Sequence, residues 1–543
     1  MEALVIFLFW IGIAVVAFMV YKSRKERERQ QEIERQNQRA EKKRLEECDE
    51  VVLFFHNYLG YIAKECIRRD ELEDLIDEGY TAEELADEIG GRIAEKDGLV
   101  LGYQPFADNI QVDVKLTLPF RERHIYVVGK SGSGKTNLIR NLIFQDLEQG
   151  AGIGVIAPEQ EMITDEILPY IPDHRIDDVI YINPADTERP VCFNPLHLDE
   201  GEDIDLRADE TFTIFQRVMG EGSGARMNEI LRNTLYALLE KPNTTLLDIA
   251  RLLDPQDSTF RDEVVRETED PDTVHFFKNI YPQFPKDAHL PIINRIGRLT
   301  RPKYIRNVLC NPENSLNFRD AMDSGKIMLF NLSDGILGEN NSQILGQLIV
   351  SKFQMATMSR AAQAKTERKH FWLYIDEFQT FTNVATTSYE KILSRARKYR
   401  LGLVLAHQQT SQIPSQLLKE IFGNVSTLVS FVVSSADATK LSQELITNFN
   451  GEIDHIPAQD ILSLKVGEAY CKIGQSSFFM RTRLADQSPD FQRAKMIIEH
   501  SRKAHGQKPM GRHERHETIP DATLKDDVEE DAFKDFDPDK LFG

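Results

Sequence analysis

Gly129-Lys130-Ser131-Gly132-Ser133-Gly134-Lys135-Thr136 stands between the apolar run Ile125-Tyr126-Val127-Val128 and the helix-patterned Asn137-Leu138-Ile139-Arg140-Asn141-Leu142-Ile143. Strand, glycine-rich turn and helix in that order make a phosphate loop. Such a turn aims successive backbone N–H groups and a helix N-terminus at a bound phosphate chain. Gly129, Gly132 and Gly134 allow backbone angles that a Cβ would forbid. Lys135 would reach the β- and γ-phosphates of ATP and the hydroxyl of Thr136 would hold Mg²⁺, with Gly129 to Asn137 lining the nucleotide. A glycine-rich surface turn, the plain alternative, needs neither the strand before it nor the helix after it.

Further along, Phe371-Trp372-Leu373-Tyr374-Ile375-Asp376-Glu377 reads as an apolar strand ending in two carboxylates. Asp376 is placed to hold Mg²⁺ through water, and Glu377 to polarise an attacking water. Alone the pair says little; downstream of a phosphate loop it gains force. The next strand, Gly402-Leu403-Val404-Leu405-Ala406, runs into His407-Gln408-Gln409, where an amide can face the γ-phosphate and sense its hydrolysis. Between them lies a basic run, Lys391 to Arg400. It would supply a trans-acting arginine, touch a phosphate backbone, or form an ordinary solvated face.

The apolar runs Gly152 to Ile156, Val179 to Ile182 and Lys326 to Leu332 add further strands, separated by helical patterns. The expected fold is α/β, a doubly wound and mainly parallel sheet with its sites at the carboxyl ends of the strands. Residues 99–202 and 324–490 are read as the two parts of this nucleotide-binding domain. Residues 203–323 carry helix-period segments such as Glu229 to Leu239, and Thr245 to Leu253 with Thr245 as cap, so an all-α insertion is expected there.

Leu4 to Tyr21 holds no charged residue, and as a helix it would span about 27 Å, close to the hydrocarbon thickness. Residues 1–21 are therefore read as a transmembrane anchor. Lys22, Arg24, Lys25, Arg27 and Arg29 follow it, which puts the rest of the chain in the cytoplasm by the positive-inside rule. Residues 22–47 read as a charged helical stalk or linker, and 48–98 as a small helical module in which Thr81 and Glu84 have capping-box spacing. Residues 491–543 form a polar tail, basic and histidine-rich at first and then acidic, expected to be disordered.

Acidic residues outnumber basic ones, 87 to 66, so any contact with nucleic acid must be local rather than a property of the whole field. The five cysteines, Cys48, Cys66, Cys192, Cys310 and Cys471, have neither disulfide nor zinc-ligand spacing, which fits a reducing compartment.

Taken together, His124 to Gly129, the phosphate loop, Asn194-Pro195-Leu196, Tyr374 to Gln379, Ala396 to Leu401 and Ala406 to Gln409 resemble the HerA/FtsK superfamily of ring-forming DNA-pumping ATPases. Within that superfamily the chain is most similar to the coupling proteins of conjugation and type IV secretion. The resemblance, over roughly Phe106 to Asp490, implies a RecA-like P-loop core and a hexamer that binds nucleotide between subunits and moves DNA. It implies Lys135 and Thr136 on the phosphates and Mg²⁺, Asp376 on the metal, and Glu377 activating water. It further implies Gln408 as sensor and Arg397, or failing it Arg395, as the arginine given to a neighbour. DNA, the cell or inner membrane, further copies of the chain, and secretion-channel or DNA-processing proteins are the implied partners. Two departures stand out: Ala157-Pro158-Glu159 where the family commonly has Asp-Pro, and one span where many coupling proteins have two. A HerA-like motor for repair or segregation, and a membrane scaffold that binds ATP without productive hydrolysis, are the competing readings.

Overall fold

The computed structural model describes residues 2–58, 66–106, 110–198, 203–219, 224–449, 452–484 and 488–508. Its strands in chain order are β1 (Leu99–Phe106), β2 (Ile110–Leu116), β3 (Ile125–Val128), β4 (Gly152–Ala157), β5 (Val179–Ile182), β6 (Ile327–Asn331), β7 (Phe371–Ile375), β8 (Leu401–His407), β9 (Thr427–Ser430), β10 (Ile446–Phe449), β11 (Glu452–His455), β12 (Glu468–Ile473) and β13 (Ser476–Arg481). Eleven of them form one sheet in the order β2-β1-β13-β12-β9-β3-β8-β7-β4-β6-β5. From β9 to β5 every neighbour is parallel, and β12, β13, β1 and β2 extend the sheet as antiparallel strands.

The parallel strands are buried along their whole length and mostly apolar because both faces are covered. Successive side chains point to opposite faces, and each face has its own core. Tyr126, Val128, Ile156, Phe330, Leu373 and Ile375 enter one core with the helical insertion and the long helix Glu339–Ser359. Ile125, Val127, Val155, Leu329, Trp372 and Tyr374 enter the other, with helix Lys135–Glu148 and the N-terminal helices.

Between β5 and β6 the described residues are helical, from Ile204–Met219 to Phe318–Ser324, apart from turns and an isolated bridge at Val191. Thr245 caps Leu246–Leu253: its Oγ1 accepts from Leu247 N–H, while its own N–H donates to Asp248 Oδ2 at 2.8 Å. The N-terminal 57-residue helix Glu2–Tyr58 is continuous across positions 21/22 and 47/48, where the sequence suggested separate segments. Its first part is long and apolar enough to cross a membrane, and the side chains from Phe7 to Tyr21 are exposed. Its lower part is held by Arg44, whose Nη1 donates to Tyr80 O at 2.6 Å and Ile76 O at 3.1 Å.

The expected disordered tail begins instead with a helix, Phe491–His505. Ala494, Ile497, Ile498 and Ser501 recur at helical spacing, a pattern concealed by the surrounding charges. The helix covers the edge strand β5: Tyr181 N–H donates to Ser501 Oγ at 2.7 Å, and Arg502 grips Asp186 at 2.7 Å. Residues 509–543 lie outside the described ones.

Gly346 lets the long helix approach the segment after β7. A Cβ there would sit 2.2 Å from Cδ1 of the fully buried Phe381 ring, and Phe381 ends the short turn Phe378–Phe381 that directly follows Glu377. Gly346→Ala should therefore cost about 1–3 kcal/mol of stability through overpacking. Thermal unfolding in detergent reads this directly, and an unchanged melting curve would mean that the ring has room to turn aside.

Candidate functional site

The carboxyl ends of β3, β4, β7 and β8 lie side by side, since Val128 is opposite His407 and Ile156 is opposite Ile375 in register. All the segments that leave these ends therefore meet at one edge of the sheet. The phosphate loop leaves β3. Gly132 has φ +72° and Gly134 has φ +115°, left-handed angles suited to glycine, and Gly134 is the N-cap of helix Lys135–Glu148. No side chain caps that N-terminus, so the N–H groups of its first turn stay open to an anion. Gly129 is fixed by crowding: a Cβ there would lie 2.6 Å from Phe431 Cβ and 2.7 Å from Ser133 Oγ.

Lys135 is buried, and its Nζ donates to Gly129 O at 2.8 Å and Lys130 O at 3.3 Å within the loop's own backbone. Burial lowers its pKa, while the charges of Glu377, Asp376 and Glu159 raise it. The sheet edge thus gathers three carboxylates around one ammonium. Lys130, Ser131, Gly132 and Thr136 are exposed beside it, and Ser133 Oγ is buried with no hydrogen-bond partner among the described residues. The Asn137 side chain is committed elsewhere, its Nδ2 donating to Arg483 O at 2.8 Å.

Asp376 is 6% exposed, and its N–H donates to Ile156 O at 3.1 Å, which continues the ladder one residue past β7. Burial and the adjacent Glu377 push its carboxyl up to about 7, although the Glu377 N–H and Lys135 pull the other way. Glu377 sits at φ +44°, a left-handed angle uncommon for a residue with a Cβ. That turn brings its carboxylate between two amides: Gln408 Nε2 donates to Oε1 at 2.8 Å and Gln379 Nε2 to Oε2 at 2.7 Å. Gln408 therefore touches Glu377 directly.

His407, next to Gln408, is buried and hydrogen-bonded through Nε2 to the Tyr126 hydroxyl, which ties β8 to the strand that carries the loop. Burial lowers its pKa to about 3, so it is a neutral strut rather than a proton carrier.

Two members of this constellation were not picked out by sequence reasoning. Gln379 lay inside the Tyr374 to Gln379 motif without a role. Glu159 leaves β4 beside β7, and its pKa is raised by burial and by Glu377. The chain thus has a carboxylate at this edge although position 157 is alanine.

Arg397 and Arg395 do not join the site of their own chain. Both precede β8 and so lie at the opposite edge of the sheet, about 20 Å away along a seven-residue strand. There Arg397 is 54% exposed, with Nε 3.8 Å from Glu122 Oε2, and Glu122 also meets His370 at 2.7 Å.

Among the described residues, no group of three or more histidine, cysteine, aspartate or glutamate side chains converges as a metal cage. Mg²⁺ needs none, since it takes one or two protein ligands and completes its shell with water and phosphate oxygens. Asp376 and Thr136 fit that demand. A divalent cation there would favour the ionised form of Asp376, whose pKa burial and the adjacent Glu377 raise.

The fold has solved counterparts. The bacterial conjugative coupling protein TrwB, in its unbound form, is 16% identical, with 74% of this chain and 91% of that chain covered and a TM-score of 0.51. TrwB in complex with the non-hydrolysable ATP analogue ADPNP is also 16% identical, covering 73% and 92% at a TM-score of 0.51. VirB4 of Thermoanaerobacter pseudethanolicus is 15% identical, covering 74% and 99% at a TM-score of 0.49. No family model matches the sequence, and no curated protein does. The chain thus has the RecA-type P-loop fold of the TrwB coupling protein, enlarged by a helical insertion and preceded by one helix long and apolar enough to span a membrane.

Proposed function

We propose that this chain is a coupling-type ATPase. In this reading residues 4–21 anchor it in the inner or cell membrane with its bulk in the cytoplasm, and six copies form a ring. The ring hydrolyses ATP to move DNA, or a protein–DNA substrate, toward or through the membrane, alongside secretion-channel or DNA-processing proteins. The carrying observation is that Glu377 is gripped by Gln408 at the same sheet edge as Lys135 and Asp376.

Phosphoryl transfer to water asks for positioning and charge stabilisation more than covalent chemistry. Lys135 would exchange the Gly129 and Lys130 carbonyls for phosphate oxygens, joining the open N–H groups of the helix. Mg²⁺ held by Thr136 and Asp376 would neutralise phosphate charge. Glu377, aimed by its two amides, would take a proton from the attacking water. Gln408 would report the γ-phosphate through that same hydrogen bond. The exposed Arg397, remote from its own site, is available to a neighbouring copy, where a trans arginine can contribute roughly 10³- to 10⁵-fold.

The test is ATP hydrolysis by the full-length protein in detergent, with and without DNA. Stimulation by DNA is expected. Mixing wild-type with Arg397→Ala copies should lower activity more steeply than dilution. Activity that is indifferent to DNA, together with strictly proportional loss on mixing, would remove both the translocation and the shared site.

A further inference from the structure

The two most exposed large apolar side chains among the described residues are Leu484, at 85%, and Val466, at 77%. Both exceed every such residue of the apolar N-terminal helix, where the highest is Phe18 at 66%. They lie 18 positions apart in sequence, yet they flank one point. Val466 lies two residues before the β12–β13 hairpin and Leu484 three residues after it, and Thr482 N–H donates to Gly467 O at 2.9 Å. That point is fastened to the phosphate loop. Gly467 N–H donates to Ser133 O at 3.0 Å, and a Cβ on Gly134 would meet Gly467 Cα at 3.3 Å. On the other side, Asn137 and Asn141 of the loop helix donate to Arg483 O at 2.8 and 2.5 Å.

The sheet order gives this place a direction. β8 and β7, which carry Gln408 and Glu377, lie on one side of β3, while β9, β12 and β13 lie on the other. A triphosphate on the loop with its γ end toward Glu377 must send its nucleoside end the opposite way, toward Val466 and Leu484. We propose that Val466 and Leu484 form an apolar clip that holds the nucleobase. This rests on the nucleotide reading above and adds how the base is recognised.

The clip takes purine nucleotides by contact with the ring rather than by reading its edge. Glu468, Arg483 and Thr482 beside it are already engaged: Glu468 with Arg481 at 3.1 Å, Arg483 with Asp113, and Thr482 Oγ1 with Gly467 O at 3.3 Å. Apolar contact alone discriminates weakly between related ligands, whereas hydrogen bonds to a substrate's polar groups discriminate strongly.

The experiment measures binding of Mg-ATP, Mg-GTP and Mg-tripolyphosphate, which has no base, to the full-length protein and to Val466→Ser/Leu484→Ser. Both side chains are exposed, so folding is not at stake. ATP and GTP should bind the wild type within about threefold of each other, and the double variant should weaken both about tenfold while tripolyphosphate stays within about twofold. An ATP affinity unchanged by the double variant overturns the clip alone. So does a preference above about 100-fold for either base, or an equal loss for tripolyphosphate, which would place the defect in the loop. A wild-type protein that binds neither ATP nor tripolyphosphate overturns the nucleotide reading and the clip with it.

Discussion

Replacing Glu377 by glutamine should lower ATP turnover by about 10²- to 10⁴-fold, the usual contribution of a positioned general base, while Mg-ATP still binds. Two effects act together. The amide cannot take a proton from water, and it also breaks the bracket around position 377. Gln408 and Gln379 both donate to the carboxylate, one to each oxygen, at 2.8 and 2.7 Å. A glutamine accepts at one atom only, so one of the two donors would face an N–H₂ group. Because Glu377 already holds a left-handed backbone angle, the loss of one tie removes part of what keeps the turn in place. Gln379→Ala keeps the proton acceptor and removes one tie, so it should lower turnover by about tenfold or less, with binding again intact. Steady-state rates beside equilibrium binding separate the two steps. If Glu377→Gln retained a tenth of the wild-type rate or more, Glu377 would not be the base.

Much of this was legible from residue order. The phosphate loop and the Asp376-Glu377 strand end were visible because a parallel strand buried on both faces is an unbroken apolar run, and its abrupt polar end marks the carboxyl edge. Bringing them together needed only the rule that parallel neighbours share that edge. The antiparallel extension was legible only in part: Glu468 to Lys472 and Ser477 to Arg481 read as sheet material and Leu99 to Phe120 as β-rich, but nothing local gives their antiparallel order next to β9. The helix Phe491–His505 was missed because its apolar stripe is thin and composition hid it. Glu159 was missed for another reason. The resemblance points to an aspartate at position 157, whereas the geometry brings a carboxylate to that edge two residues later. Gln379 carried only a general signal, a polar residue two positions beyond the proposed base, at the carboxyl end of a buried parallel strand where sites gather.

Asp376→Asn should abolish Mg-dependent turnover and, in the absence of metal, make the protein more stable at pH 8. The sign follows from the carboxyl's position. Its folded-state pKa of about 7 lies above the ordinary 3.8, because burial and Glu377 both oppose its ionisation. Between about pH 4 and pH 7 the folded protein therefore holds this proton more tightly than the unfolded chain. Its contribution is fully present below the unfolded value and is lost as pH rises through the folded one. Above that point a buried carboxylate remains beside Glu377 and Glu159, countered mainly by Lys135. A shift of this size corresponds to about 4 kcal/mol at most, and a gain of about 2 kcal/mol at pH 8 is a sound expectation for asparagine, which carries no charge to bury. At pH 5, above the unfolded value but below the folded one, part of the contribution is already lost, so the variant's advantage should be smaller there than at pH 8 without vanishing. Glu159 is raised in the same direction, so wild-type stability alone would mix two groups, and the difference between wild type and variant isolates Asp376. Unfolding in EDTA at pH 5 and pH 8 measures that difference, and adding Mg²⁺ with a non-hydrolysable ATP analogue should erase it for the wild type by pairing the carboxylate. Should the variant be less stable than wild type at pH 8 without metal, Asp376 is held by a structural partner, and its place on the metal would have to be given up.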